Sequence, residues 1–189
     1  MRKAVFIVLM WLMMAGLSVA QIPTSGNVFF GYSYYNSDLS SADRSNSNGW
    51  EASLEGKVLP FVGIVADFSG HYGSQTFLAG AACPVVIPNC VTTIAVNANF
   101  SENNVLFGPR VSFSVRKFRP FAEAEFGVGH INANAAGTNT SFATALGGGL
   151  DYRLIRLIAW RFQGDYVQTR FFGTTQNNVQ LSTGIVLHF

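Results

Sequence analysis

The chain carries little charge of either sign. Lys and Arg number 12 and Asp and Glu number 10, so charged residues make up only 12% of the 189 residues, against about a quarter in soluble domains. Two of the 12 bases, Arg2 and Lys3, stand at the very start, and without them 10 bases face 10 acids. Because there is no basic excess in the body of the chain, we expect no nucleic-acid partner.

Beyond residue 20 the sequence has no run of 18 apolar residues, which a transmembrane helix needs. The long apolar run at 4–17 follows Arg2 and Lys3 and precedes Ser18-Val19-Ala20, which places small residues before Gln21. This pattern predicts a secretory signal peptide over 1–20, cleaved near Ala20. A membrane anchor is the alternative, but the run is shorter than the roughly 20 residues that a spanning helix needs. The remaining 21–189 predict one domain.

Cysteine and histidine are scarce. The two cysteines are Cys83 and Cys90, and the three histidines are spread over the chain. Two cysteines with no neighbouring histidine cannot complete a tetrahedral metal shell, so we expect no metal and no cofactor. An exported protein folds in an oxidising compartment, which favours a disulfide between Cys83 and Cys90.

Period-two alternation of apolar and polar residues fills the rest of the chain. The segment 49–58 is the clearest case, because Trp50, Leu54 and Val58 alternate with Glu51 and Glu55. Such alternation predicts strands with one apolar face. Eight strands are predicted near 27–36, 49–58, 61–72, 103–115, 120–131, 141–152, 157–169 and 178–189.

The connections between these strands alternate in length. Long polar segments at 37–48, 73–102, 132–140 and 170–177 alternate with tight connections at 59–60, 116–119 and 153–156. Outer-membrane barrels have an even number of strands, short periplasmic turns and longer extracellular loops. The sequence therefore predicts an all-β fold: an eight-stranded antiparallel up-and-down transmembrane β-barrel after an N-terminal signal peptide, with its long loops outside the cell.

The polar faces of the predicted strands carry acids and bases that would point into the barrel. An eight-stranded barrel is just wide enough for side chains to fill, and buried charges must be paired. The predicted polar network of the lumen comprises Glu51, Glu55, Lys57, Asp67, Arg110, Glu123, Glu125, Asp151, Arg161 and Asp165, with Arg116 and Arg153 on the same predicted faces. Mixed signs near balance favour a structural plug of salt bridges, and a narrow ion path remains the alternative.

Four segments resemble the small bacterial outer-membrane β-barrel family, similar to the OmpA-like membrane domain and the porin-like outer-membrane protein β-barrel domain. They are Val28–Tyr34, Gly147–Tyr152, Gln163–Tyr166 and Leu181–Phe189. The last alternates with Leu181, Thr183, Ile185, Leu187 and Phe189 on one face and looks like the C-terminal insertion signal of such barrels. The resemblance covers about residues 26–189 and implies no periplasmic peptidoglycan-binding domain.

The resemblance implies a bacterial outer-membrane location. The implied partners are outer-membrane lipid, the barrel-insertion machinery and an extracellular ligand or surface, and the implied state is a monomer. Members of such families are structural surface proteins, adhesins, narrow channels or, occasionally, enzymes. We expect a structural or surface-interaction role and no enzymatic activity. Two alternatives stay open: a narrow channel for small solutes or ions, and a lipid-modifying enzyme that would use His71 with Ser74 or His130 with Ser141.

Overall fold

A computed structural model describes residues 25–38, 44–82, 91–134 and 137–189, with side chains outside 75–82 and 91–98. The predicted signal peptide over 1–20 and both cysteines lie outside the described residues. Within the described part, no helix is long and apolar enough to cross a membrane.

Eight antiparallel strands close into a barrel, as predicted. Each strand pairs with the next in the chain, and β8 pairs back with β1. The strands are β1 Gly26–Ser37, β2 Ser45–Lys57, β3 Val62–Ala82, β4 Val91–Ser112, β5 Phe118–Ala133, β6 Gly137–Arg153, β7 Ile158–Thr169 and β8 Gln176–His188.

The barrel is apolar outside and polar inside, because the period-two pattern assigns each strand one face to each side. On β2, Trp50 and Leu54 point outward and are exposed, whereas Glu51 and Glu55 are fully buried. The outer wall exposes large apolar side chains on every strand, such as Phe30 at 64% and Leu146 at 65%. A wall of this kind requires an apolar environment, since water would make its exposure costly.

The two ends of the barrel differ, and we name them the turn end and the loop end. At the turn end β1 meets the end of β8 through hydrogen bonds between the backbones of Gly26 and Phe189. The connections at 58–61, 113–117 and 154–157 lie at the turn end. At the loop end, β1, β3, β5 and β7 end and β2, β4, β6 and β8 begin.

Much of the predicted loop sequence is strand, and this part of the prediction was wrong. Within the segment predicted as a loop over 73–102, residues 73–82 and 91–102 are strand, and within the loop predicted over 132–140, β5 continues to Ala133 and β6 begins at Gly137. The alternation of apolar and polar residues fades where the strands extend beyond the apolar outer wall. The alternation therefore shows how much of each strand belongs to that wall. Backbone pairing needs no such alternation and continues past it.

β3 and β4 extend beyond the barrel as a two-stranded hairpin, which we call the projection. Nine residue pairs, from Ser74↔Asn99 to Ala82↔Val91, continue the β3–β4 ladder. In the described register, β2 pairs with β3 only as far as Tyr72, and β5 pairs with β4 only as far as Phe100. At about 3.4 Å per residue, the projection reaches ~30 Å past the wall.

Candidate functional site in the barrel lumen

The structure places nearly all of the predicted lumen residues inside the barrel. Lys57 is half-buried at the turn end, and the other nine are buried: Glu51, Glu55, Asp67, Arg110, Glu123, Glu125, Asp151, Arg161 and Asp165. Arg116 is exposed in the β4–β5 connection, beyond the strand alternation on which the expectation rested, so its expected place in the lumen was wrong. Arg153 is the last residue of β6 and keeps the inward parity of Asp151, but its side chain is exposed at the mouth of the barrel.

Glu55 is the centre of the ion pairs nearest the turn end. Its carboxylate accepts hydrogen bonds from Arg119 Nη2 at 2.7 Å and from Asn27 Nδ2 at 2.7 Å. Lys57 Nζ lies 3.3 Å and Arg110 Nη1 3.5 Å from the same carboxylate. A carboxylate buried among three cations is fully compensated, which is the condition for charge in a low-dielectric interior.

Two buried arginines extend into the lumen at a second level, which lies further from the turn end than the Glu55 ion pairs. Arg161 donates to both oxygens of Asp151, from Nε at 2.7 Å and from Nη2 at 3.0 Å. Arg110 donates from Nε to Glu123 at 2.5 Å. The ring of Phe121 lies between the guanidinium groups, 4.5 Å from Arg110 and 4.6 Å from Arg161. The planar arginine group suits such stacked, bidentate contacts, so this level is rigid and filled.

The middle of the lumen is acidic, whereas the sequence predicted nearly balanced acidic and basic side chains that pair with each other. None of the ion pairs among the described residues involves Glu51, Asp67, Glu125 or Asp165. Glu51 instead accepts hydrogen bonds from Gln163 at 2.9 Å, Gln180 at 2.5 Å and Ser182. The bases therefore collect at the turn end while unpaired acids occupy the middle, an order along the barrel axis that a count of charges does not reveal.

A further buried group lies toward the loop end and was missed from the sequence. The Tyr35 hydroxyl donates to Glu102 at 2.8 Å, and its ring stacks on His71 with centroids 4.4 Å apart. His71 Nε2 lies 2.9 Å from Ser33 Oγ. Glu102 was missed because 73–102 was predicted to be a loop. Tyr35 could have been found, because it shares the inward parity of Ser33 on β1.

Apolar clusters separate the polar levels of the lumen. The cluster nearest the loop end contains Phe100, Ile131, Ala133 and Phe171. Phe171 comes from the β7–β8 connection and is fully buried, held by hydrogen bonds between its backbone and the Gln176 side chain at 2.8 and 3.1 Å. This apolar cluster at the loop end of the lumen disfavours the passage of water and ions.

The pairs considered for a lipid-modifying enzyme are not assembled. His71 is buried in the lumen, whereas Ser74 is exposed. His130 faces outward and contacts Thr140 Oγ1 at 2.7 Å, whereas Ser141 lies on the inward parity of β6. His71 and Ser74 are three apart on one strand and therefore lie on opposite faces. The β5–β6 register places Thr140 opposite His130 and Gly129 opposite Ser141, so His130 and Ser141 also lie on opposite faces. Among the described residues, no cluster of three potential metal ligands occurs.

The predicted insertion signal lies on the outer wall of β8. Leu181, Ile185, Leu187 and Phe189 are exposed there, with Thr183 half-buried on the same face. The predicted Cys83–Cys90 disulfide lies outside the described residues and stays a prediction.

A closed barrel with an apolar outer wall and a charged, filled lumen defines the class of small transmembrane β-barrels. Solved structures show the same fold. Neisserial surface protein A superimposes with a TM-score of 0.67 at 12% identity, over 87% of this chain and 97% of the other.

Two further structures agree in fold. Ail, the attachment invasion locus protein of Yersinia pestis, solved with the heparin analogue sucrose octasulfate, gives a TM-score of 0.56 at 13% identity, over 86% and 98% of the two chains. The N-terminal β-barrel domain of Pseudomonas aeruginosa OprF gives 0.50 at 15% identity, over 89% and 100%. No known protein family and no curated protein matches the sequence. The chain therefore has the fold of the small outer-membrane barrels.

Proposed function

We propose that this chain is an integral outer-membrane protein with a structural or surface-interaction role, exercised at the loop end outside the cell. The projection carries the proposal, because it extends a two-stranded ladder past the wall. Both of its outer edges keep backbone groups that no neighbouring strand of the described barrel occupies. Open edges of this kind pair with extended segments of other chains.

The filled lumen supports the same proposal. Arg110, Arg161, Phe121 and Phe171 are buried across it, which suits a barrel that serves as a rigid support. Two of the proteins that share this fold are a surface protein and an attachment protein, which also favours a surface-interaction role.

Shortening the projection will abolish surface binding and leave the barrel intact. Residues 75–98 would be replaced by Asn-Gly, because Ser74 and Asn99 lie directly opposite each other and a two-residue turn closes such a pair. Bacteria displaying either chain would be tested for retention on heparin and on the purified chain itself. Retention of the shortened variant should fall to that of cells without the barrel.

Two checks make this result specific. The full-length Cys83→Ser/Cys90→Ser variant separates loss of the predicted disulfide from loss of the projection. Faster migration of unheated than of boiled protein on a gel verifies a closed barrel in every variant. Equal retention of the parent and the shortened chain on both surfaces would contradict the surface-interaction role.

The alternative of a narrow ion path has one supporting observation. In the middle of the lumen, Asp67, Glu125 and Asp165 each keep a buried oxygen with no hydrogen-bond partner. Such carboxylates would favour cations, and a ring of acids is a common selectivity device in cation channels.

The parent chain will show no sustained conductance in planar bilayers, because the Phe171 cluster and the arginine level both fill the lumen. Single-channel recording measures this. A cation-selective current that falls in Asp67→Asn but not in Asp38→Asn, which lies outside the barrel in the β1–β2 connection, would instead establish the ion path.

A further inference from the structure

A cavity of about 590 Å³ opens at the turn end, between the last residues of β8 and the three tight connections. Its polar lining comes from Lys57, Ser112, Arg119, Arg153, Arg156 and His188. Cavities of this volume accommodate small-molecule ligands. The Phe121 and arginine level lies further in, so the cavity is a separate compartment at the barrel mouth.

The charge of the turn-end cavity is positive. Four of its lining residues are Lys or Arg, and none is Asp or Glu. Glu55 lies behind the floor and pairs with Lys57 and Arg119. Even when Glu55 and Asp151, which both lie behind the floor and pair with Arg119, are counted against the four cations, an excess of two positive charges remains. The ion pairs of the described chain include neither Arg153 nor Arg156.

The floor of the cavity is held in place before any ligand arrives. Ser112 Oγ accepts hydrogen bonds from Lys57 Nζ at 2.5 Å and from Arg119 Nη2 at 3.0 Å. Ser112 is itself fixed by the hydrogen bond from its backbone nitrogen to the Phe61 carbonyl at 2.8 Å. Cations that are already ordered lose little conformational entropy on binding an anion.

We propose that the turn-end cavity binds a phosphate group. Arginine forks match the oxygens of a phosphate, and each contact is a charge-assisted hydrogen bond. Lys57 and Arg119 provide a fixed floor, and the exposed Arg153 and Arg156 side chains close over the ligand from the rim.

Two sources could supply the phosphate: the headgroup of an anionic phospholipid or a soluble phosphoester. Val58, Leu59 and Phe61 line the same cavity and are more than half exposed. They connect the polar floor with the apolar outer wall, which gives acyl chains a continuous path. A soluble phosphoester would use only the polar lining.

The test is calorimetric titration of the refolded chain in nonionic detergent micelles with two probes. One probe is dihexanoylphosphatidylglycerol, and the other is glycerophosphoglycerol, the same headgroup without acyl chains. The parent should bind at least one of them saturably, and Arg153→Gln/Arg156→Gln should bind it about tenfold more weakly, since two solvent-exposed charge contacts are removed. The matched control is Arg116→Gln/Lys117→Gln, which removes the same charge from the same end but outside the lining.

Each outcome decides the proposal. Binding of the lipid probe alone supports the site with a phospholipid as its source, and equal binding of both probes supports it with a soluble phosphoester. Absence of saturable binding to both probes overturns the proposal. Equal weakening by the two double variants also overturns it, because the effect would then come from the general charge of the turn end. The gel shift on boiling confirms that both variants are folded.

Discussion

Replacing Arg110 by methionine will lower the free energy of unfolding of the barrel by about 3–5 kcal/mol, the range for one partner removed from a buried ion pair. Arg110 is fully buried and pairs with both Glu55 and Glu123. Methionine fills a similar volume but leaves Glu123 with no cation. Unfolding in urea, followed by the fluorescence of Trp50 and Trp160, measures the change.

Arg116→Met is the matched control, because Arg116 is exposed at the turn end and its replacement should change stability by at most ~0.5 kcal/mol. Arg110→Met/Glu123→Met should recover part of the loss, since the stranded acid is then removed too. A loss below about 1 kcal/mol in Arg110→Met would mean that the ion pairs do not order the lumen.

Replacing Gly184 by valine will prevent the barrel from closing. Gly184 on β8 lies directly opposite Gly31 on β1. A Cβ at Gly184 would collide with the backbone of Phe30 and Gly31, and the Phe30 carbonyl carbon would lie 2.9 Å away. Backbone atoms cannot swing aside as a side chain can, so the overpacking cost should reach ~3 kcal/mol, the upper end of the usual range. The heat-dependent shift on the gel should disappear.

Gly164→Val provides the comparison at a second strand glycine. A Cβ there meets only the Leu181 side chain, at 3.3 Å on the outer wall, and that side chain has room to move. The shift should persist in this variant. A normal shift in Gly184→Val would show that β1 and β8 tolerate a wider separation than the structure has.

The barrel itself was predictable because its wall is encoded residue by residue. On β2, Trp50 and Leu54 had to face lipid once Glu51 and Glu55 faced inward, and eight such strands left no free edge. The projection was not predictable from the same signal. Its strands lie beyond the apolar wall, and the sequence alternation that defines the other strands is absent there.

The inward direction of the charged residues was likewise accessible from the sequence, but their partners were not. Arg110 pairs with Glu123 on the neighbouring strand and with Glu55 across the lumen, 55 residues away. Such pairs depend on the relative shift of strands around the barrel, which no single strand encodes. The contribution of Phe171 also escaped prediction, because a residue in a connection has no alternation to give its direction.

The pairing of β8 with β1 sets the order in which the molecule can form. Seven of its eight strand pairs join neighbours in the chain, whereas the eighth joins residues as distant as Asn27 and His188. Local hairpins form quickly, and the long-range contact pays the largest loop-closure entropy. Until β8 has been synthesised and has found β1, the chain is an open sheet without a finished apolar exterior. The pairing of β8 with β1 is therefore the contact that completes the apolar belt around the barrel.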